Sequence, residues 1–289
     1  MRNTNQVDYQ AIRRYFARTG EGKAACASYM AHAQDLPENA VNYRFTKERA
    51  TIRQWLDGVD QQARVLDLGC GSGAWTELFA KRFGSVVAIE QSPAMLAAAK
   101  ARLGGVSNVE FLSQDVREPL PPGPFDLVFL GGICMYLSDA DTIALVQAVV
   151  ERLSDQGRLL LRESTVANGY EHAEGDYEAI YRSVDVYRSL FSKAGVSRVA
   201  VRRNYAYTHM EIAVELVELR RRYLRMLPHT SPFLGALTWW SLRATSPICF
   251  GMFPRLPPWL RMNWPKLQNH FFLLEITQAH AGINLEHSP

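Results

Sequence analysis

The chain has 289 residues, of which 47% are hydrophobic and 21% charged, a composition that excludes an intrinsically disordered or a collagen-like protein. Its 32 Lys and Arg against 29 Asp and Glu give a formal net charge of +3, which by itself indicates neither a nucleic-acid nor a membrane partner. The four cysteines lie far apart without a C-x-x-C pair, and the first residues lack a signal-peptide pattern. We therefore expect a cytoplasmic protein.

The predicted elements begin with helices and continue as alternating strands and helices. Residues 1–62 predict an N-terminal helical cap, because their apolar residues recur every three or four positions. The predicted strands are residues 65–68, 85–90, 109–112, 125–130, 157–162, 198–206 and 271–276. The predicted helices between them are residues 75–82, 93–103, 139–153 and 184–194. This alternation predicts an α/β fold with a doubly wound, seven-stranded, mostly parallel sheet.

A long segment separates the last two predicted strands. Residues 209–268 are too many for a simple connection, and they contain Trp239, Trp240, Trp259 and Trp264. We predict a helical, aromatic lid or substrate-binding insertion at this position. The core domain then comprises residues 63–208 and 269–289.

The first predicted strand runs into a glycine-rich turn that opens a helix. Asp67 precedes Gly69, Gly71 and Gly73, and glycines at such a turn let a ligand approach the backbone N–H groups at the helix N-terminus. With Ala74, the turn also satisfies the G-x-G-x-x-G/A fingerprint of dinucleotide-binding proteins. The turn alone therefore leaves a nicotinamide cofactor, and a dehydrogenase, open.

Acidic residues follow the second and third predicted strands. Glu90 ends the second strand, where its carboxylate can accept hydrogen bonds from a ribose diol, and Asp115 follows the third. Together with the turn, these residues resemble the first motifs of the class I S-adenosylmethionine-dependent methyltransferases over residues 65–201. The resemblance implies a Rossmann-like fold, S-adenosylmethionine as cofactor and S-adenosylhomocysteine as product. It implies a cofactor site formed by Asp67, Gly69, Gly71, Gly73, Glu90, Gln91, Asp115, Val116 and Leu130.

The segment after the fourth predicted strand is apolar with one phenol, Tyr136. It lacks the Asn/Asp-Pro-Pro-aromatic signature of methyltransferases that act on nucleobase or glutamine amino groups. Residues 125–164 loosely resemble the phosphoethanolamine-type N-methyltransferases, and this resemblance implies that Tyr136 faces the reacting amine as an orienting group or general base. Glu163, at the end of the fifth strand, and His172, just beyond it, are further catalytic candidates.

Two residues before the first strand are predicted to contact the ligand. In many class I methyltransferases the helix before strand one closes over the cofactor, and Tyr43 and Arg44 lie in the corresponding segment. No metal site is predicted, because no His/Cys cluster has zinc-binding spacing and no pair of Asp or Asn residues follows the fourth strand in the way that metal-dependent catechol methyltransferases require.

The acceptor is predicted to be a small molecule methylated on nitrogen or oxygen. One alternative is a lipidic acceptor at a membrane surface, reached through the basic and Trp-rich residues 220–264. Another is RNA, with the arginines of residues 220–225 on phosphates, although the sequence carries no RNA-binding domain and a nucleic-acid partner is disfavoured. The sequence does not predict the oligomeric state.

Overall fold

The computed structural model describes residues 7–19, 38–175, 177–224, 226–228, 231–244, 252, 255–260 and 265–275. The helices among them are α1 (Tyr9–Thr19), α2 (Glu38–Asp57), α3 (Ala74–Ala80), α4 (Pro93–Arg102), α5 (Asp139–Val150), α6 (Val184–Lys193), α7 (Tyr205–Tyr223), α8 (Pro232–Ala244) and α9 (Leu256–Trp259). The strands are β1 (Arg64–Leu68), β2 (Ser85–Glu90), β3 (Val109–Ser113), β4 (Phe125–Leu130), β5 (Leu153–Val166), β6 (Tyr170–Ala173), β7 (Ala179–Ser183), β8 (Arg198–Arg203) and β9 (Gln268–Glu275).

The predicted doubly wound sheet is confirmed. Strands β3, β2, β1, β4 and β5 are parallel in that order, and β9 and then β8 continue the sheet as antiparallel strands beyond β5. β1, β2 and β4 are almost entirely buried, as expected for parallel strands that helices cover on both faces. The carboxyl ends of β1, β2 and β4 therefore meet at one edge of the sheet.

The strand count differs from the prediction of seven, because the described residues form nine strands. The two additional strands are the antiparallel hairpin β6–β7, in a stretch whose polar and aromatic residues give no clear apolar alternation. β5 has 14 residues and extends beyond the end of β4. Thr165, near its end, pairs with Gln268 of β9 and with Arg182 of β7. The hairpin thus pairs with the end of β5 that extends beyond β4.

β8 is shorter than predicted, because a helix cap ends it. The sequence predicts a strand to residue 206, whereas the chain enters α7 at Tyr205. The side chain of Asn204 accepts a hydrogen bond of 3.2 Å from the backbone N–H of Tyr207, the capping geometry that starts a helix. Residue 276, the predicted end of the last strand, lies outside the described residues.

A second, smaller core joins the N-terminal region to the insertion. Trp239 of α8 is fully buried against Ala40 and Val41 of α2 and Met210 and Ala213 of α7. Helix α7 begins at Tyr205, so residue 209, at which the insertion is predicted to begin, lies inside this helix. Every helix among the described residues is too short or too polar to span a lipid bilayer.

Candidate active site

The turn between β1 and α3 requires glycine at two positions. Gly69 has φ +66°, and a Cβ atom there would lie 2.5 Å from Cδ1 of Ile133. Gly73, the N-cap of α3, has φ +81°, and a Cβ atom there would lie 3.0 Å from side-chain atoms of Ala99 and Leu103. Both positions combine a left-handed backbone with a close approach, which only glycine tolerates at low cost. The turn is thus packed between α4 and the segment after β4.

Asp67 supports this turn from below. Its carboxylate is buried and accepts a hydrogen bond of 2.6 Å from the Thr76 hydroxyl on α3. Burial raises the pKa of Asp67 to about 7, and the nearby Glu90 carboxylate adds to this effect. Asp67 does not line the cavity described below. It therefore links β1 to α3 instead of offering its carboxylate to a ligand.

Glu90 joins the end of β2 to the glycine turn. One carboxylate oxygen accepts a hydrogen bond of 3.0 Å from the backbone N–H of Gly71, and the other accepts one of 2.8 Å from that of Ser92. Burial raises the pKa of Glu90 above its ordinary value. A carboxylate has about four acceptor sites, so Glu90 can accept two further hydrogen bonds from a ligand.

A cavity of about 240 Å³ opens over the carboxyl ends of β1, β2 and β4. Six of the predicted cofactor residues line it: Gly69, Gly71, Glu90, Gln91, Asp115 and Val116. The remaining lining residues are Tyr9, Ile12, Phe16, Met95, Gln114, Arg117, Gly131, Gly132, Ile133, Met135, Tyr136 and Leu137. The structure thus brings the glycine turn, Glu90, Asp115 and the catalytic candidate Tyr136 around one cavity.

Asp115 forms ion pairs at one end of this cavity. Its carboxylate lies 2.7 Å from Arg117 and 2.8 Å from Arg13 of α1. Burial raises the pKa of Asp115, but hydrogen bonds from Arg117 and Arg13 outweigh it and lower the pKa to about 2. Asp115 is therefore ionised at neutral pH and ties α1 to the loop after β3.

Helix α1 covers the cavity, a role that the sequence predicts for Tyr43 and Arg44. Tyr9, Ile12 and Phe16 of α1 line the cavity, and the Tyr9 hydroxyl bonds to Asp141 and accepts a hydrogen bond of 3.1 Å from the Ser138 N–H. Neither Tyr43 nor Arg44 of α2 lines it.

Tyr43 and Arg44 contact residues away from the cavity instead. The Tyr43 ring packs edge-on against Trp239 at 5.7 Å, and Arg44 lies 3.5 Å from Glu48 on its own helix. Helix α1 has a signal in the sequence, because Tyr9, Ile12 and Phe16 recur at helical spacing. That spacing predicts an apolar face without indicating what the face covers.

Tyr136 lines the cavity together with Phe16 of α1. It lies on a short 3-10 turn, Cys134–Tyr136, its ring contacts Phe16 edge-on at 5.2 Å, and its hydroxyl lies 3.0 Å from that of Tyr177. Tyr181 extends this network, with its hydroxyl 3.3 Å from that of Tyr177. Burial raises the pKa of Tyr136 well above its ordinary value, so the phenol stays protonated. A protonated phenol is suited to orienting a substrate and poorly suited to acting as a general base.

Glu163 lies beneath the cavity floor and does not line it. Its carboxylate is fully buried and accepts hydrogen bonds of 3.1 Å from the backbone N–H groups of Ile133 and Cys134. Burial raises its pKa to about 7. Glu163 is therefore a positioning residue that holds the segment carrying Tyr136.

Arg182 holds the same segment from the other side. Its guanidinium is fully buried and donates hydrogen bonds of 2.7 Å to the carbonyl oxygens of Cys134 and Leu137. It also pairs with Asp139 at 2.8 Å. Two donors of one side chain thus fix the backbone on both sides of Tyr136, and a third binds the Asp139 carboxylate.

The other predicted site residues lie away from the cavity. His172 is exposed on β6, and the side chain of Leu130 is buried in the sheet core, so Gly131 and Gly132 form the cavity wall after β4. Burial raises the pKa of Cys70 and Cys134, which disfavours the nucleophilic thiolate form. The described residues contain no group of three His, Cys, Asp or Glu side chains arranged for a metal ion.

Residues 65–157 match a family model described as a methyltransferase domain. This segment, about a third of the chain, thus resembles a methyltransferase domain. The resemblance to class I S-adenosylmethionine-dependent methyltransferases is thereby confirmed, and the matched segment begins in β1 and contains the glycine turn, Glu90, Asp115 and Tyr136.

Known proteins similar to the methyltransferase domain and its surroundings include a phosphoethanolamine N-methyltransferase of Triticum aestivum. It is 29% identical over 150 residues, which cover 51% of this chain and 30% of that protein. The chain thus matches about a third of this relative's length.

Two solved structures share the fold. Phosphoethanolamine N-methyltransferase 2 of Haemonchus contortus has a TM-score of 0.58 at 18% identity, covering 92% of this chain and 60% of that one. An S-adenosylmethionine-dependent methyltransferase of Leishmania major has a TM-score of 0.55 at 21% identity, covering 68% and 75%. The Haemonchus protein is described in complex with phosphomonomethylethanolamine and S-adenosylhomocysteine.

Proposed function

We propose that the protein transfers the methyl group of S-adenosylmethionine to an amine nitrogen of a small-molecule acceptor. The observation that carries this proposal is the cavity at the carboxyl ends of the strands, which Glu90 and Asp115 line together with the aromatic side chains of Phe16 and Tyr136. Methylation of a hydroxyl oxygen is the less favoured version, because neither Tyr136 nor the exposed His172 offers a base inside the cavity.

The lining residues fit a nucleoside cofactor with a cationic sulfonium tail. Glu90 has acceptor sites left for two ribose hydroxyls, and Val116 with Met95 supplies apolar contact for an adenine ring. The backbone at Gly69 and Gly71 lines the cavity, so a ligand can approach it closely. When bound, S-adenosylmethionine supplies an electrophilic methyl group on a sulfonium centre.

The contribution of this chain is alignment and the exclusion of water. Helix α1 covers the cavity through Tyr9, Ile12 and Phe16, and its link to Asp115 holds it in place. Tyr136 keeps its phenolic proton and can hydrogen-bond the acceptor group, while Glu163 and Arg182 fix the backbone that carries it. An uncharged amine presents its lone pair directly and needs no strong base.

The aromatic side chains around Phe16 and Tyr136 favour an amine as the acceptor. The rings of Phe16 and Tyr136 lie in edge-on contact, and Tyr15 and Tyr177 extend the cluster with centroids 5.0 Å apart. Aromatic faces attract alkylammonium groups, which are the products of amine methylation. The phosphoethanolamine N-methyltransferases among the similar proteins support the same acceptor class.

The test is transfer of label from methyl-labelled S-adenosylmethionine in a fractionated cell extract. We expect label in low-molecular-weight amines with the wild-type protein, and much less with the Glu90→Ala variant. The Glu110→Ala variant is a matched control, because Glu110 is exposed on the neighbouring strand β3 and lines no part of the cavity. Label in the RNA or lipid fraction, or in a small molecule that carries it on oxygen, would contradict the proposed acceptor.

A further inference from the structure

The insertion contains most of the exposed apolar side chains of the described residues. Fourteen large hydrophobic residues are exposed among the described residues, and all but Val106 and Tyr170 lie between Leu216 and Leu260. Single exposed apolar side chains are ordinary on a protein surface, but their confinement to one segment marks an interaction surface.

Helix α8 shows how this surface is built. Phe233, Leu237 and Trp240 recur at helical spacing and are 74%, 52% and 54% exposed. Trp239 points the opposite way and is fully buried. α8 is therefore anchored by one face and presents a second apolar face to the outside.

Helix α7 and the turn that follows it extend the exposed apolar surface. Leu216, Leu219 and Tyr223 are exposed at helical spacing on the second half of α7, and Leu224 and Met226 follow them. The first half of α7 is buried instead, around Met210 and Ala213. The apolar exposure thus begins where α7 leaves the protein core.

The insertion carries a net positive charge. Residues 209–268 contain eight Lys or Arg against three Glu, all three of which lie in α7, a net charge of +5. The rest of the chain then has 24 Lys and Arg against 26 Asp and Glu, a net charge of −2. Arg222, Arg243 and Arg255 are exposed among the apolar residues. An anionic surface would attract the insertion and repel the rest of the protein, which sets an orientation.

We propose that the insertion docks on an anionic lipid surface, with Phe233, Leu237 and Trp240 entering the headgroup region. Aromatic and leucine side chains beside arginines are the composition of helices that lie in a membrane interface. A second copy of the chain is disfavoured as the partner, because two such insertions would bring like charges together. RNA is disfavoured, because exposed leucine and methionine side chains gain little from a polyphosphate. This docking does not depend on the proposed methyl transfer.

The test is flotation of the full chain with phosphatidylcholine vesicles that either contain or lack phosphatidylglycerol. We expect flotation with the anionic vesicles, less flotation at high salt, and none with phosphatidylcholine alone. The triple variant Phe233→Ser, Leu237→Ser, Trp240→Ser should lower partitioning more than about tenfold, since it removes the inserting side chains. Arg222→Glu should lower it about fivefold or more.

Two matched controls separate the docking surface from general surface effects. Lys100→Glu changes an exposed cation on α4, and Val106→Ser changes an exposed apolar residue outside the insertion. Both should float like the wild type. Binding of S-adenosylhomocysteine by the triple variant should be unchanged, which distinguishes loss of docking from loss of folding.

Three results would overturn the proposal. The first is wild-type protein that stays at the bottom of the gradient with anionic vesicles. The second is a triple variant that floats like the wild type. The third is a wild-type dimer that the triple variant converts to a monomer, or salt-sensitive binding to RNA, without any flotation.

Discussion

The backbone N–H of Gly71 donates a hydrogen bond of 3.0 Å to the carboxylate of Glu90, joining the turn after β1 to the end of β2. The same carboxylate lines the cavity with acceptor sites to spare. Replacing Glu90 with Ala should raise the Kd for S-adenosylhomocysteine about a hundredfold or more, the cost of two charge-assisted hydrogen bonds. Isothermal titration calorimetry measures this Kd, with Glu110→Ala as the control. A Kd within twofold of the wild-type value would remove Glu90 from the cofactor site.

The ion pair between Arg13 and Asp115 should slow the opening of α1. Arg13→Ala should increase the dissociation rate of S-adenosylhomocysteine about twofold to fivefold, a small effect because Arg13 is 57% exposed. Arg14→Ala is the matched control, since Arg14 lies on the same helix, is 59% exposed and pairs with Asp8 at 3.9 Å. Stopped-flow displacement measures both rates. Equal dissociation rates for the two variants would show that the ion pair with Asp115 does not slow the opening of α1.

The buried carboxylate of Glu163 should make the protein less stable as the pH rises. Its pKa is raised from 4.5 to about 7 in the folded state, so its favourable contribution is fully present below about pH 4.5 and is lost as the pH approaches 7. Asp67, raised from 3.8 to about 7, acts in the same direction.

Replacing Glu163 with Gln should remove its share of this pH dependence. That share is at most about 1.4 kcal/mol per pH unit in the free energy of unfolding. Urea unfolding between pH 4.5 and pH 8 measures the slope, and Glu110→Gln should keep the wild-type slope. A Glu163→Gln variant that also keeps that slope would show that the carboxyl titrates normally in the folded state.

The sequence predicts which residues meet at the carboxyl end of the sheet, because the signals for them are local. A glycine turn after an apolar run and an acid at the end of the next strand are each visible within a few residues. Parallel strands then bring Gly71, Glu90 and Asp115 to one edge of the sheet whatever surrounds them.

The remaining parts of the site depend on tertiary contacts that have no local signal. The spacing of Ile12 and Phe16 predicts a helix face but not that it covers the cavity in place of Tyr43. The hairpin β6–β7 forms because β5 extends beyond β4, which residues 170–183 alone do not reveal. Glu163 stands at the predicted sheet edge, but its burial beneath the loop makes it a positioning residue.

Tyr136 should contribute to turnover and little to cofactor binding. Tyr136→Phe removes the hydroxyl and keeps the ring against Phe16, so we expect kcat to fall about tenfold to hundredfold with the Kd for S-adenosylhomocysteine unchanged. Tyr177→Phe removes only the partner hydroxyl and should have a smaller effect on kcat. Label transfer to the amine acceptor measures both. A wild-type kcat in the Tyr136→Phe variant would exclude a catalytic role for the Tyr136 hydroxyl.

The most direct test of the cofactor assignment is calorimetric titration of the wild-type chain with S-adenosylhomocysteine and, separately, with NADH. Both ligands carry an adenosine that Glu90 can bind. A difference between their affinities therefore reports on the part of the cavity between Gly71 and Tyr136, where the rest of the ligand would lie. We expect one-to-one binding of S-adenosylhomocysteine and no detectable heat with NADH. Binding of NADH without binding of S-adenosylhomocysteine would contradict it and make the cavity a dinucleotide site.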